Sequence, residues 1–302
     1  MKKIFIDGSA GTTGLRIRER LSSRCDLEIV SLPDELRKDP AARRDALNTC
    51  DVAFLCLPDA AAVEAAGMVE NSSTVVIDTS TAHRTSDGWE YGFPELSGRR
   101  ERIARSKRIA NPGCHASGFI ALVEPLVKAG IVSACEKLSA FSLTGYSGGG
   151  KKMIAEYEGG FPGSDGGRQY ALAQEHKHIP EMVKICALEH APVFSPVVLP
   201  HLSGMEVTVA LHGVSPGDVR DCYAGYYRDG SMVRFEQDVS QSGFVSSSAY
   251  SGRDSMVVSV YGNKDRAVLV ALFDNLGKGA SGAAIQNMNI AIGCDEREGL
   301  VR

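Results

Sequence analysis

Asn111-Pro112-Gly113-Cys114-His115 places a thiol where a strand turns into a helix. Arg108-Ile109-Ala110 reads as the end of a strand, and the apolar run from Ala116 to Val127 reads as a buried helix. Asn-Pro and Gly supply the turn between them. Cys114 then stands at a helix N-terminus, where unpaired N–H groups and the helix dipole favour negative charge. A free thiol with a pKa near ~8.5 is little ionised at neutral pH, and such a position lowers that pKa. A cysteine in a turn is more often structural than reactive. The fixed corner, with the groups below, favours a nucleophile.

Titratable groups concentrate again in Glu175-His176-Lys177-His178-Ile179-Pro180-Glu181, where Pro180 marks the first turn of a helix. In an extended segment His176 and His178 point in opposite directions, one toward a thiol and the other toward a substrate. A surface loop with two ordinary histidines is the plainer alternative. His115 follows the thiol directly. Neighbours at a helix start diverge by ~100°, so it is expected to turn away from the sulfur. Arg84, in the loop after the Thr74–Ile77 strand, is suited to hold a phosphate or carboxylate, or to make an ordinary ion pair.

Near the N-terminus a strand, a glycine turn and a helix start carry Gly8-Ser9-Ala10-Gly11-Thr12-Thr13-Gly14. Small residues at this spacing let the backbone approach a pyrophosphate held at a helix N-terminus. A site preferring NAD usually has an acid at the end of the second strand for the ribose 2′-OH. Ser31 stands there, with Arg37, Lys38, Arg43 and Arg44 following, which suits the 2′-phosphate of NADPH or, alternatively, a solvated helix face. Gly145-Tyr-Ser-Gly-Gly-Gly-Lys151 resembles a phosphate loop, but Lys152 replaces the hydroxyl that would hold Mg²⁺.

These groups need elements to position them. The first ~110 residues alternate strands (Lys2–Ile6, Leu27–Ser31, Val52–Leu57, Thr74–Ile77) with helices (Thr12–Ser23, Pro40–Asn48, Ala60–Glu70), the pattern of a parallel sheet with crossover helices. From about Glu136 strand-like runs follow one another without regular helices, which predicts an α+β domain. The glycine-rich stretch from Gly145 to Arg168 reads as a mobile segment covering a site or as a surface loop, and Gly277–Ile292 as a small-residue helix. The chain has 302 residues, 43% hydrophobic and 23% charged, enough for two domains. A net charge of −4 gives no reason to bind nucleic acid or anionic membrane. No stretch approaches the ~18 apolar residues of a membrane span. The eight cysteines lack metal-ligand spacing and read as reduced thiols of a cytoplasmic protein with no metal site.

The ordered set Gly8-x-x-Gly11-x-x-Gly14, Leu57-Pro58-Asp59-Ala60-Ala61, Tyr91-Gly92-Phe93-Pro94-Glu95-Leu96, Asn111-Pro-Gly-Cys114, His176-x-His178-x-Pro180-Glu181 and Asp274-Asn275-Leu276-x-Lys278-Gly279-Ala280 resembles N-acetyl-γ-glutamyl-phosphate reductase of arginine biosynthesis, in its shorter branch. The resemblance spans nearly the whole chain. It implies an α/β fold: a Rossmann-type NADP-binding domain over residues 1–113, completed by a C-terminal helix within 277–302, and an α+β catalytic and oligomerisation domain over 114–276. It further implies Cys114 as nucleophile, His176 as acid/base, and Arg84, His178 and Glu181 as contacts to a small acyl phosphate. The cofactor contacts would be Gly8, Ser9, Gly11, Thr12, Thr13, Gly14, Ser31, Asn275 and Gly279. Homodimers or homotetramers are expected. Two alternatives stay open, an aspartate-semialdehyde dehydrogenase and a non-catalytic NADP-binding regulator.

Overall fold

The computed structural model describes residues 1–228 and 232–302. Two compact units emerge, one of Met1–Pro112 with Ala280–Leu300, the other of Gly113–Gly279 with Val301–Arg302. The first begins β1 (Lys2–Asp7), α1 (Thr12–Leu21), β2 (Leu27–Val30), α2 (Pro40–Thr49), β3 (Val52–Leu55), α3 (Asp59–Gly67), β4 (Val75–Asp78), β5 (Glu90–Tyr91), α4 (Arg99–Arg105) and β6 (Arg108–Ala110). The second holds α5 (Cys114–Lys128), β7 (Ser139–Gly145), α6 (Gly150–Gly159), β8 (Arg168–Gln169), α7 (Ile179–Cys186), β9 (Val193–Leu199), β10 (Met205–His212), α8 (Pro216–Tyr226), β11 (Val233–Phe235), β12 (Met256–Asn263) and β13 (Arg266–Phe273). The last helix, α9 (Gly282–Ile292), belongs to the first unit.

In the first unit six parallel strands run in the order β2-β1-β3-β4-β6-β5. Its strands are apolar on both faces because helices cover both. Ile4 and Ile6 face Ile17, Leu21, Ile285 and Met288, while Phe5 faces the opposite layer with Leu47 and Ala65. Local chemistry sets the helix starts. Asp39 accepts the Ala42 N–H at 2.8 Å, ahead of Pro40 in the first turn of α2.

The second unit is a mixed seven-stranded sheet, β11-β12-β13-β10-β7-β9-β8. Helix α5 packs on it so closely that a Cβ at Gly118 would lie 2.4 Å from Val207 Cγ2. Pro125 inside α5 has no N–H for the Ala121 carbonyl, and the Tyr227 hydroxyl donates to that carbonyl at 2.7 Å. The orphan is thereby satisfied and the helix continues to Lys128.

Three expectations need correction. The second unit is not short of helices, and the 145–168 stretch is no plain loop, since α6 lies within it. Helix α6 buries none of its residues and so leaves no hydrophobic period to read. Helix α8 starts at Ser215-Pro216, with Ser215 accepting the Gly217 N–H, and buries only Pro216, Val219 and Tyr223. The segment expected to be one helix from Gly277 begins instead with a π-helical turn, Gly277–Ser281. The cause is Asp274, whose buried carboxylate accepts N–H groups from Gly252, Leu276 and Gly277 and bends the chain. Among the described residues no helix is long and apolar enough to cross a membrane.

Candidate active site

Cys114 is the first residue of α5, partly exposed, with Gly113 as the cap and no acidic side chain in the first turn. The backbone ahead of it is held from the interior. Glu181, 1% exposed on α7, accepts the Gly113 N–H at 3.1 Å. The Ser117 hydroxyl donates to the Gly113 carbonyl at 3.0 Å. Gly279, in the π-helical turn, lies against Cys114: a Cβ there would sit 2.9 Å from Cys114 Cβ. Glu181, expected among the substrate contacts, thus supports the turn that carries the sulfur.

His176 and His178 do not diverge. The Ile179 N–H closes a turn on the His176 carbonyl at 2.9 Å, so the segment is folded where the divergence assumed extension. Their rings meet edge to face at 4.7 Å between centroids. The His178 N–H donates to His176 Nδ1 at 3.1 Å, which keeps the proton of the neutral ring on Nε2. His115 does not leave the cluster either. Its ring lies 5.3 Å from that of His176 and 5.5 Å from that of His178, because α7 and the preceding turn cover that face of α5 as well. Its Nδ1 meets Ser142 Oγ at 2.6 Å and its Nε2 meets the Tyr170 hydroxyl at 2.7 Å. Burial, with His176 beside it, pushes its pKa down to about 3, so His115 is neutral at physiological pH.

In the first unit the glycine turn divides its work. Gly8 has φ +84°, and a Cβ there would lie 2.2 Å from the Cys56 carbonyl oxygen. A Cβ on Gly14 would meet the Gly8 carbonyl oxygen at 2.7 Å, so that glycine packs helix on turn. Gly11, whose nearest such contact is 3.4 Å away, leaves the turn open at the start of α1. Thr12 Oγ1 is buried there without a hydrogen-bond partner among the described residues. Beside the turn is a cavity of about 590 Å³ lined by Gly8, Ser9, Ser31, Arg18, Arg37 and Lys38, among others. An open backbone approach, an unsatisfied hydroxyl and a cavity of nucleotide size fit a dinucleotide.

Three of the four basic residues near Ser31 are already paired, Arg37 with Asp34 at 2.7 Å. Arg43 donates twice to Asp7 Oδ2, at 3.1 and 2.9 Å, and Arg44 pairs with Glu70. Arg84 joins strand ends within the first unit, donating to the Asn111 carbonyl at 2.9 Å and the Thr79 carbonyl at 3.1 Å. Asn111 also donates to the Ala280 carbonyl and accepts from Asn287 of α9. Asn275, expected at the cofactor, is fully enclosed in the second unit. Its Oδ1 accepts the Gly204 N–H and its Nδ2 donates to Ser147, so the amide is part of that unit's frame.

Comparison with known proteins decides the family. Semialdehyde dehydrogenase, NAD binding domain, matches residues 33–106, and Semialdehyde dehydrogenase, dimerisation domain, matches residues 114–275. The chain is 44% identical to N-acetyl-gamma-glutamyl-phosphate reductase of Chelativorans sp. (strain BNC1), over 96% of this chain and 98% of that protein. It is 42% identical to N-acetyl-gamma-glutamyl-phosphate reductase 2 of Nostoc sp. (strain PCC 7120), over 99% of both. The chain belongs to the N-acetyl-gamma-glutamyl-phosphate reductase family. Aspartate semialdehyde dehydrogenase II of Vibrio cholerae, in complex with ASA, shares the fold at a TM-score of 0.75 and 16% identity, over 97% of this chain and 98% of that one. The enzyme from Francisella tularensis does so at 0.73 and 14%, over 96% and 99%.

The polar partners of the histidine cluster that the sequence did not single out are Ser142 and Tyr170. Ser142 falls on the alternation of a strand, where a lone serine carries no signal. Tyr170 follows a two-residue strand in a glycine-rich region.

The neutral His115 has a measurable consequence. Between its ordinary value of 6.5 and about 3, the unfolded chain binds a proton here and the folded chain does not. Stability therefore falls as pH drops through this window, by about 1.4 kcal/mol per pH unit at the steepest. His115→Gln should flatten this acid limb by about one proton in urea unfolding measured from pH 7 to 4. An equally steep limb in the variant would contradict a neutral, buried His115.

Proposed function

We propose that this chain reduces N-acetyl-γ-glutamyl phosphate to N-acetylglutamate semialdehyde and phosphate, in arginine biosynthesis, with NADPH as reductant. The observation that carries the mechanism is Cys114 at the start of α5, next in sequence to His115, whose ring packs against those of His176 and His178. The thiolate attacks the acyl carbon, the bond to the phosphate oxygen breaks, and a thioester remains on Sγ. NADPH, when bound, supplies a hydride to the thioester carbon. The resulting thiohemiacetal collapses as its C–S bond breaks, which releases the aldehyde and returns the thiolate. N–H groups in the first turn of α5 face the charge that develops on the oxygen, each worth ~3 kcal/mol when well aimed. His176, with its proton on Nε2, is the acid/base, and such help is worth ~10²–10⁴ in rate. His178 contacts the substrate. Glu181 acts through the backbone of Gly113, and Arg84 through the Asn111 and Thr79 carbonyls that it joins.

In the first unit the Gly8–Gly14 turn, with Ser9, Thr12 and Thr13, would hold the pyrophosphate at the start of α1. Ser31 and Lys38, which line the cavity, would face the 2′-phosphate, joined by Arg37 if it leaves Asp34. Self-association follows from one face of the seven-stranded sheet. Phe141 and Val193 are 58% and 57% exposed, and Val268 is exposed on the strand that pairs with β10. Such a patch on a sheet is what a second copy of the chain would cover.

The reaction is read in reverse as NADP⁺ reduction with N-acetylglutamate semialdehyde and phosphate, beside aspartate semialdehyde under the same conditions. Turnover with the first and little with the second is expected. Equal or reversed preference would move the chain to the aspartate branch, and no turnover with either would leave a nucleotide-binding regulator. For the cofactor, Ser31→Asp should lower kcat/KM for NADPH and raise the preference for NADH, because the new carboxylate repels the 2′-phosphate. Unchanged cofactor preference would remove Ser31 from the ribose site.

A further inference from the structure

We infer that Ser142 and His115 form a hydrogen-bond chain of fixed direction, which leaves the Tyr170 proton to be donated toward the reacting centre at Cys114; this rests on Cys114 being the nucleophile. The direction follows from proton accounting. Ser142 Oγ is fully buried, and His115 Nδ1 is its one side-chain hydrogen-bond partner among the described residues. A buried hydroxyl proton without an acceptor is costly, whereas an unfilled lone pair is less so, and the serine therefore donates. His115 Nδ1 is then the acceptor, and the single proton of the neutral ring sits on Nε2. That N–H donates to the Tyr170 oxygen at 2.7 Å. The phenol proton cannot return to Nε2 and must point elsewhere.

Tyr170 is placed to use it. Its ring packs against His176 at 5.6 Å between centroids. Burial, and secondarily the charge on Cys114, pushes its pKa above the ordinary value, so it keeps its proton. The titratable groups of this cluster are Cys114 and His115 from α5, His176 and His178 from the turn before α7, and Glu181 from α7. The backbone holds Tyr170 in place. Its N–H donates to the Pro196 carbonyl at 3.1 Å, and Ala171 just after it adopts φ +53°. Gln174, at φ +60°, exchanges two hydrogen bonds with the Phe194 backbone. Left-handed backbone at two non-glycine residues persists where surrounding contacts impose it. Tyr170 is therefore a donor to the thiolate or to the oxyanion formed on it, and Ser142 and His115 are positioning residues.

The test is Tyr170→Phe, which keeps the ring and removes the hydroxyl. The expected result is a fall in kcat of about 10²-fold with unchanged KM for NADPH. Iodoacetamide labelling of Cys114 in the absence of substrate should also shift to higher pH. Ser142→Ala should reproduce a smaller part of both effects in the wild-type background and add nothing in the Tyr170→Phe background, because the chain then has no proton to direct. Wild-type kcat and labelling in Tyr170→Phe, with activity still dependent on Cys114, would overturn the chain alone. So would full additivity of the two variants. Activity surviving in Cys114→Ser would overturn both this chain and the thioester mechanism.

Discussion

A nucleophilic thiol must be charged and yet shielded, and the N-terminus of α5 is where this protein reconciles the two. Unpaired N–H groups at a helix start favour the anion without a neighbouring base having to hold a positive charge. Much of the second unit follows from putting that helix end in place. Its body is buried against the sheet, which demands glycine at 118 and a hydroxyl for the carbonyl left by Pro125. The residue before the thiol is tied to Glu181, and Asp274 shapes the turn that brings Gly279 against the Cys114 Cβ. His115, His176 and His178 are neighbours of one another, so a charge on one disfavours a charge on the next.

In the first unit the same physics serves binding. Its parallel strands, apolar on both faces, lead the chain to the start of α1, where unpaired N–H groups suit the phosphates of the proposed dinucleotide. The buried Asp7–Arg43 pair lines the same cavity, so Arg43 is held by a carboxylate of its own unit. In the proposed site, selectivity at the ribose would therefore fall to Ser31 and to Lys38 on the cavity wall, since Arg37 is paired with Asp34.

The parallel-sheet half was legible because its signals are local and repeated: short β-branched runs, glycine at a turn, helical stretches between strands. Cys114 at the start of a helix was legible for the same reason. What failed depended on the third dimension. His176 and His178 share a cluster because a hydrogen-bonded turn replaces the extended segment that their spacing suggested. His115 stays in the site because the helix that carries it is covered on that side too. That both ends of the Asn275 amide brace its own unit is likewise not readable from its place in a motif. Helix α6, which buries nothing, left no pattern at all.

The central claim is that an acyl group passes through Cys114 Sγ. The most direct measurement is intact-protein and peptide mass spectrometry after mixing the enzyme with N-acetyl-γ-glutamyl phosphate while nicotinamide cofactor is withheld. An N-acetylglutamyl adduct on the peptide containing Cys114, discharged as aldehyde when NADPH is added and absent in Cys114→Ser, is the predicted result. Full turnover on addition of NADPH with no adduct at Cys114, or an equal adduct in Cys114→Ser, would contradict the account.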